Sequence, residues 1–469
     1  MTASRRTIFR WGAGLALLNA LTARAESRSW DLTVIGSGLA GLSAAIAGAE
    51  AGRRVLLLEK GMLLGGHSLY SSGSIAAVAP HRTRAAGIQD SVDLFVEDAW
   101  RVGEACGNRP VLETIAEHSH EALNLLERTG IRLGGVFQAS SGLRPRAYAI
   151  PGEASGRNYI LALAKHAREL GVTIRLNTEV VELRRSVGRG FELNCRQSGE
   201  AVEFMSEAVV IATGGFTANV PARMKIDGRL SADIHTSANP YGLLWDGADG
   251  DGIRLAQALG GAVTEGFGLQ LLPIGGGRVL DYAGADLYVN DEGRRFVNEA
   301  APRRELASAI LALPDKRFWV ITDQQSRKNA TLGPKLLNGI VKKSPDIRSM
   351  AREMGIRPDV LERTIADYNR AADAKFDPEF GKSVFTQRIS EPPFYWGRER
   401  IYVHTTLDGI RTDHQARVLD RSGRPIDGLF AAGETVGGVF GKDRLGGMGL
   451  TNCIVMGRMA GGCGRWRKV

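Results

Sequence analysis

Cysteine is scarce: Cys106, Cys195, Cys453 and Cys463 are the four in 469 residues. None forms a Cys-x-x-Cys pair, so the sequence offers no haem attachment, iron–sulfur ligand set or zinc site. It nominates no disulfide either, and buried free thiols are expected. Aromatic residues are few at 7%, and no basic run interleaved with aromatics suggests nucleic acid. Internal repeats and low-complexity segments are missing. Beyond the N-terminus no apolar run is long enough for a membrane span. Acidic residues are absent from the first 25 positions, where "SRRTIFRWG" sets Arg5 and Arg6 before the apolar "WGAGLALLNALTA". That stretch is too short to cross a bilayer, and "ARA" ending at Ala25 reads as a cleavage site. Twin arginines mark the route that carries already folded proteins. Residues 1–25 therefore read as a twin-arginine export signal delivering a periplasmic protein, with an uncleaved basic anchor helix as the alternative. Without the leader's four arginines the formal charge falls from +9 to +5, only mildly basic.

Glycine is what the chain has in plenty, 59 residues grouped as Gly-Gly pairs and Gly-x-Gly turns. Such a backbone can approach a large ligand at many points. The first cluster has a context. "DLTVIGSGLAGLSAAIAGAEAGRRVLLLEK" (31–60) reads as strand, turn, Ala-rich helix and second strand. Gly36 permits the tight turn, Gly38 the approach of a pyrophosphate, and Gly41 close helix–strand packing. The helix N-terminus then faces phosphates. Glu59 ends the second strand, about 20 residues downstream, where an acid binds ribose hydroxyls. A glycine-rich turn without a ligand is the competing reading. Two more buried strands end in glycine: "EAVVIATGGF" (207–216) and "GLFAAGETVGG" (428–438). Far apart in sequence, they read as parts of one sheet. "LGVTIRLNTEVVEL" (170–183) adds a strand.

On these segments the chain resembles the fumarate reductase and succinate dehydrogenase flavoprotein superfamily, from about residue 30 to the C-terminus. Its soluble fumarate and urocanate reductase branch is the most similar. The resemblance implies an α/β fold: a Rossmann-like FAD-binding domain (29–267 and 405–469) with an inserted mixed α/β capping domain (268–404). It implies FAD contacts from Gly36, Gly38, Leu39, Ala40 and Gly41 in the first turn, and from Glu59 and Lys60 after it. Gly66, His67, Ser68, Ser72 and Gly73 would follow, then Val181 beside the adenine, then Ala212, Thr213 and Gly214. Gly433, Glu434, Arg444, Gly447 and Leu450 complete the set. Soluble members have Gly-Gly-Asn where this chain has Gly65-Gly66-His67. In membrane-complex relatives a histidine at that spacing bonds covalently to flavin. Non-covalent FAD is expected first, with a covalent link through His67 as the alternative.

Three further signatures carry the resemblance. "GRRFVNEAAPR" supplies Gly293, Arg295, Phe296, Asn298, Glu299 and Arg303; "VHTTLDG" supplies His404; "DRLGGMGL" supplies Arg444. Reduction of an activated C=C bond needs a hydride from flavin N5 on one carbon and a proton on the next. A planar guanidinium holds a carboxylate at two points. The resemblance implies His404 and Arg444 as the clamp on the substrate carboxylate, with Gln270, Glu299 and Thr405 binding substrate. It implies Arg303 as proton donor. Arg304 and Arg295 are expected to be ordinary solvated side chains. The stretch from Glu292 to Ile310 reads as a largely helical, proline-started segment.

Two departures stand out. "LQLLPI" has Leu272 where the branch has a histidine gripping a second carboxylate. Val279 and Tyr282 fall where relatives carry a Glu and an Arg that relay protons, with Arg278, Asp281 or Asp286 as candidate substitutes. A substrate with one carboxylate is expected. The function expected is that of an exported FAD-dependent reductase of an α,β-unsaturated acid, fed by a separate donor such as a cytochrome c or a quinol-linked protein. A dehydrogenase of a saturated acid and a flavin protein serving as sensor or electron carrier are the alternatives. Helices are expected in 84–130, 156–171 and, from Pro358, 358–374, with "FWVITD" as a cap strand.

Overall fold

A computed structural model describes residues 29–84, 87–139, 142–153 and 155–466. The expected export signal lies outside them. Five parallel strands form the main sheet, in the order Pro425–Ala431, Glu200–Ile211, Trp30–Ile35, Val55–Leu58 and Thr173–Arg175. Buried runs such as "VLLL" in Val55–Leu58 are what a sheet covered on both faces requires. The register aligns Ile35 with Leu58 and Ile211, and Ile211 with Ala431. The chain therefore leaves four strands at one edge, carrying Gly36, Glu59, Ala212 and Ala432 out together. Ligands of open α/β sheets bind at such an edge.

The helix Leu39–Glu50 packs on this sheet against the C-terminal helix Met448–Gly461. Small residues let them touch: a Cβ on Gly457 would stand 2.5 Å from the Ala40 carbonyl oxygen, and one on Gly461 2.0 Å from that of Ala44. The expected strand at 170–183 is two strands. Asn177, at φ +50°, turns the chain between Thr173–Arg175 in the parallel sheet and Thr178–Arg185 in an antiparallel branch.

The capping region has its own four-stranded antiparallel sheet, Leu287–Val289, Arg317–Thr322, Phe394–Arg400 and Lys342–Ser344. The helix Pro358–Ala374 begins at its proline as expected and packs Leu361, Ile365 and Tyr368 into one core. A two-stranded ribbon, Leu269–Leu272 with Tyr402–Thr406, joins the cap to the main domain. It pairs Gln270 with Thr405 where the expected domain boundaries fall.

The helix of the proline-started stretch is shorter than expected, Arg303–Leu311 after Pro302, and residues 292–302 are turns. Its buried face is Arg303, Leu306, Ala307, Ile310 and Leu311. That is helical spacing of i, i+3, i+4, i+7 and i+8. Arg303 thus opens an apolar stripe and is carried inward with it, while Arg304 one step on is exposed. None of the four cysteines is in a disulfide, with Cys195 buried and the others half-buried, and Cys463 Sγ accepts from Arg53 Nη1 at 2.6 Å. No helix among the described residues is long and apolar enough to cross a membrane.

Candidate functional site

At the sheet edge the backbone forms a cradle. Gly36 has φ +101°, and a Cβ there would meet the Ala212 carbonyl oxygen at 2.4 Å. A Cβ on Gly41 would lie 1.9 Å from the oxygen of Gly36. Gly38 has nothing nearer than 3.7 Å, which leaves room for a phosphate. It begins the helix without a side-chain cap of its own, at the end where backbone N–H groups and the helix dipole favour an anion. Ser68 Oγ accepts from the Leu39 N–H at 3.2 Å and lies at the same place. The helix Met448–Gly461 also starts uncapped at Gly447, whose φ is +83°. Leu450 lies in its first turn.

Glu59 is 8% exposed. Its carboxylate accepts from the Ser37 N–H and hydroxyl and from the Gly61 N–H. Val181 falls where the ladder slips between Val180 and Glu182, so this residue interrupts the strand pairing beside which adenine was expected. Gly433, at φ +81°, lets Ala40 approach. Glu434 accepts from the Thr406 N–H at 3.0 Å and Thr213 Oγ1 lies 3.4 Å from Thr435 Oγ1, tying the strand ends together. Gly66 and Ser72 are exposed, whereas Gly73 at φ +81° and Gly214 at φ +77° turn the backbone where side chains rarely can. Lys60 pairs with Asp251 at 2.7 Å and Asp249 at 3.3 Å, so its charge already has partners within the protein. The cradle and its acidic strand end fit a dinucleotide.

His67 is bonded through Nε2 to Asp246 Oδ1 at 2.7 Å. Burial disfavours the charged imidazole, but Asp246 more than reverses this and the pKa is raised. Asp246, which also accepts from Thr236 Oγ1, is brought down to about 2 against its own burial. Nothing in the sequence pattern pointed to Asp246, which lies 179 residues from His67.

A second cluster lies where the cap ribbon meets the main domain. Arg444 Nη2 donates to His404 Nε2 at 3.0 Å. Arginine has no acceptor, so His404 Nε2 carries the lone pair and Nδ1 carries the hydrogen, which reaches Ser237 Oγ at 2.8 Å. Burial, then repulsion from Arg444 and Arg303, holds the His404 pKa well below its usual value, so the ring is neutral. Arg303 Nη1 donates to the Arg444 carbonyl oxygen at 2.6 Å and to Asp443 Oδ1 at 3.3 Å. Burial pushes the Arg303 guanidinium down, only partly opposed by Asp443. Burial and then Arg303 bring Arg444 down to about 10. Gln270 Nε2 also donates to Asp443 Oδ1, and Gln270 Oε1 is buried without a partner among the described residues. Thr405, 8% exposed, lies opposite Gln270 in the ribbon. Leu272 is half-buried at the end of that strand.

The structure therefore gathers Arg303, His404, Arg444 and Gln270, and adds Asp443 and Ser237, which sequence reasoning missed. The only signal for Asp443 was its place beside Arg444. Glu299 is a correction. Its oxygens accept from Arg295 Nε and Nη2, Lys382 Nζ and the Tyr288 N–H, so the carboxylate is consumed inside the cap. Arg295 is a second correction: its side chain is 5% exposed and also pairs with Asp377 at 2.7 Å. Arg304 matches expectation as an exposed side chain paired with Glu104.

A family model described as an FAD binding domain matches residues 31–450. A probable fumarate reductase of Shewanella frigidimarina is 32% identical over 456 residues, 94% of this chain and 75% of that protein. A urocanate reductase of Eggerthella lenta is 30% identical over 92% of this chain and 74% of its own length. Among solved structures, the open conformation of a flavocytochrome c3 fumarate reductase matches with a TM-score of 0.75 at 30% identity, over 95% of this chain and 80% of that one. The dinucleotide that the cradle takes is FAD.

Proposed function

The chain belongs to the fumarate reductase-like family of FAD-dependent oxidoreductases, and on that premise we propose that it reduces the C=C bond of an α,β-unsaturated acid bearing one carboxylate. One observation carries the reading: Arg303, His404 and Arg444, from three separate segments, meet in a single buried cluster. The Arg303 guanidinium bonds the Asp443 carboxylate, the Arg444 guanidinium bonds the neutral His404 ring, and burial pushes both guanidinium groups down. A substrate carboxylate between them would offset that burial.

His404 orients the Arg444 fork, and the two clamp the carboxylate. Bound FAD would supply the hydride, from N5, to the carbon β to the carboxylate. Arg444 stabilises the negative charge that then spreads from the α-carbon onto the carboxylate. Arg303, with its proton loosened by burial, delivers that proton to the α-carbon. Gln270 and Thr405 line the approach from the ribbon. Leu272 offers no charge for a second carboxylate, which favours a small or apolar β-substituent over fumarate. FAD contacts follow the cradle residues, with His67 engaged by Asp246 rather than committed to a covalent link. The leader supports export of the folded, FAD-loaded chain to the periplasm. The electron donor is then a separate protein, such as a cytochrome c or a quinol-linked carrier.

The test is anaerobic. Chemically reduced protein is mixed with fumarate, urocanate, acrylate and cinnamate in turn. Rapid reoxidation by a monocarboxylate enoate supports the reading. Bleaching of oxidised protein by a saturated acid, with no enoate reacting, would make it a dehydrogenase. No reaction in either direction would make it an electron carrier or sensor.

A further inference from the structure

The proton that leaves Arg303 must be replaced in every turnover. The positions where relatives place relay groups cannot do it here. Val279 is apolar and 1% exposed, and the Tyr282 hydroxyl accepts from the Arg327 backbone N–H. Of the substitutes, Asp281 accepts from Asn329 at 3.0 Å. Asp286 receives Arg278 Nε and the Tyr288 hydroxyl, both at 3.2 Å.

Another route is visible. A cleft of about 540 Å³ between cap and main domain has Arg303, Gln270 and Asp443 in its lining. Neither His404 nor Arg444 lines it, so it meets Arg303 from a side that the carboxylate clamp does not share. Exposed Arg229 and Arg304 also line it, so the cleft is open to solvent. Asp443 Oδ1 faces Arg303. Among the described residues no donor is bonded to Asp443 Oδ2, and it is not among the sealed, unsatisfied atoms. A carboxylate with one oxygen on the donor arginine and the other open to cleft water has the geometry of a relay.

We propose that Asp443 resupplies Arg303 with protons from solvent in this cleft, replacing the internal relay of its relatives. This rests on the enoate-reductase reading. As the new C–H bond forms at the α-carbon, an N–H bond of Arg303 breaks and leaves a neutral guanidine. The Asp443 carboxylate then takes a proton from solvent in the cleft, and the carboxyl so formed gives that O–H proton to the guanidine. One solvent proton and one hydride are consumed per double bond, and Arg303 and Asp443 return to their starting states. Asp443 acts through Arg303, so it is a positioning and relay residue.

Chemical rescue tests it. FAD-loaded Asp443→Ala, reduced anaerobically, is mixed with whichever enoate reoxidises the wild type. The expected loss in reoxidation rate is on the order of 10²-fold, with FAD content and substrate affinity close to wild type. Formate, small enough for the cleft and able to carry a proton, should restore the rate in proportion to its concentration. Nitrate, an anion of similar size that carries none, should not. A purely structural or electrostatic role predicts rescue by both anions or by neither, and either result overturns the relay. Asp443→Asn, which keeps the shape, guards against misfolding: it should be as slow and should not respond to formate. A wild-type rate in Asp443→Asn also overturns the relay. If the wild type itself reacts with no enoate, the reductase reading fails instead.

Discussion

Two buried arginines from one short stretch, Arg295 and Arg303, differ in what surrounds them. Arg295 sits with Lys382 against Glu299 and Asp377, two positive charges on two negative. Burial pulls its pKa down, but the carboxylates win and the net shift is upward. Glu299 is correspondingly held below its usual value despite complete burial, through Lys382 and Arg295. Arg303 bonds Asp443 and the Arg444 carbonyl oxygen, Glu434 acts on Arg444 as well, and burial still leaves both guanidinium groups shifted down. The balanced group ties the cap's turns at 292–302 to the segment that follows its long helix. In the second group burial outweighs the carboxylates, a cost that an incoming anion would relieve.

The sharpest break of this contrast is Arg303→Ala. It should cut substrate-dependent flavin reoxidation by roughly 10²- to 10⁴-fold, with FAD still bound and the urea midpoint little changed. Stopped-flow absorbance reads the first and flavin content the second. Next comes Glu299→Ala, which leaves Arg295 and Lys382 without their shared partner. Stability should fall by about 3–5 kcal/mol in urea unfolding, while the fraction that remains folded keeps its FAD and its turnover. If it instead raises KM with stability intact, Glu299 touches substrate after all.

Alkaline pH gives a gentler test. In the proposed clamp Arg444 is protonated below its folded pKa of about 10 and loses its charge above it. Accordingly, kcat/KM should be flat up to that point and then fall about tenfold per pH unit. His404, already neutral, should add no step between pH 6 and 8. The smallest effect belongs to Arg304→Ala. Its exposed pair with Glu104 should change stability by no more than about 1 kcal/mol and leave turnover alone, although it is the next residue to Arg303.

The parallel sheet, the glycine cradle and the three separated site residues were legible because each rests on local pattern: buried runs, fixed glycine offsets and short motifs. Arg303 could have been placed inward from its helical spacing to Leu306, Ala307 and Ile310. Arg295 and Glu299 were misplaced for a physical reason. Their counter-charges, Asp377 and Lys382, lie 82 and 83 residues away, so nothing local announces that the charges will be neutralised in a core. Asp246 on His67 and Ser237 on His404 are distant in the same way. The split at Asn177 was hidden inside an otherwise continuous strand pattern.

The proposed single clamp of His404 and Arg444, with Leu272 offering no second grip, predicts a preference that can be measured directly on the wild type. Anaerobically reduced protein should be reoxidised by acrylate or cinnamate at least about tenfold faster than by fumarate at equal, subsaturating concentrations, a difference of about 1.4 kcal/mol in the barrier. Faster reoxidation by fumarate would contradict a site built for one carboxylate, and reoxidation by none of them would contradict the reductase itself.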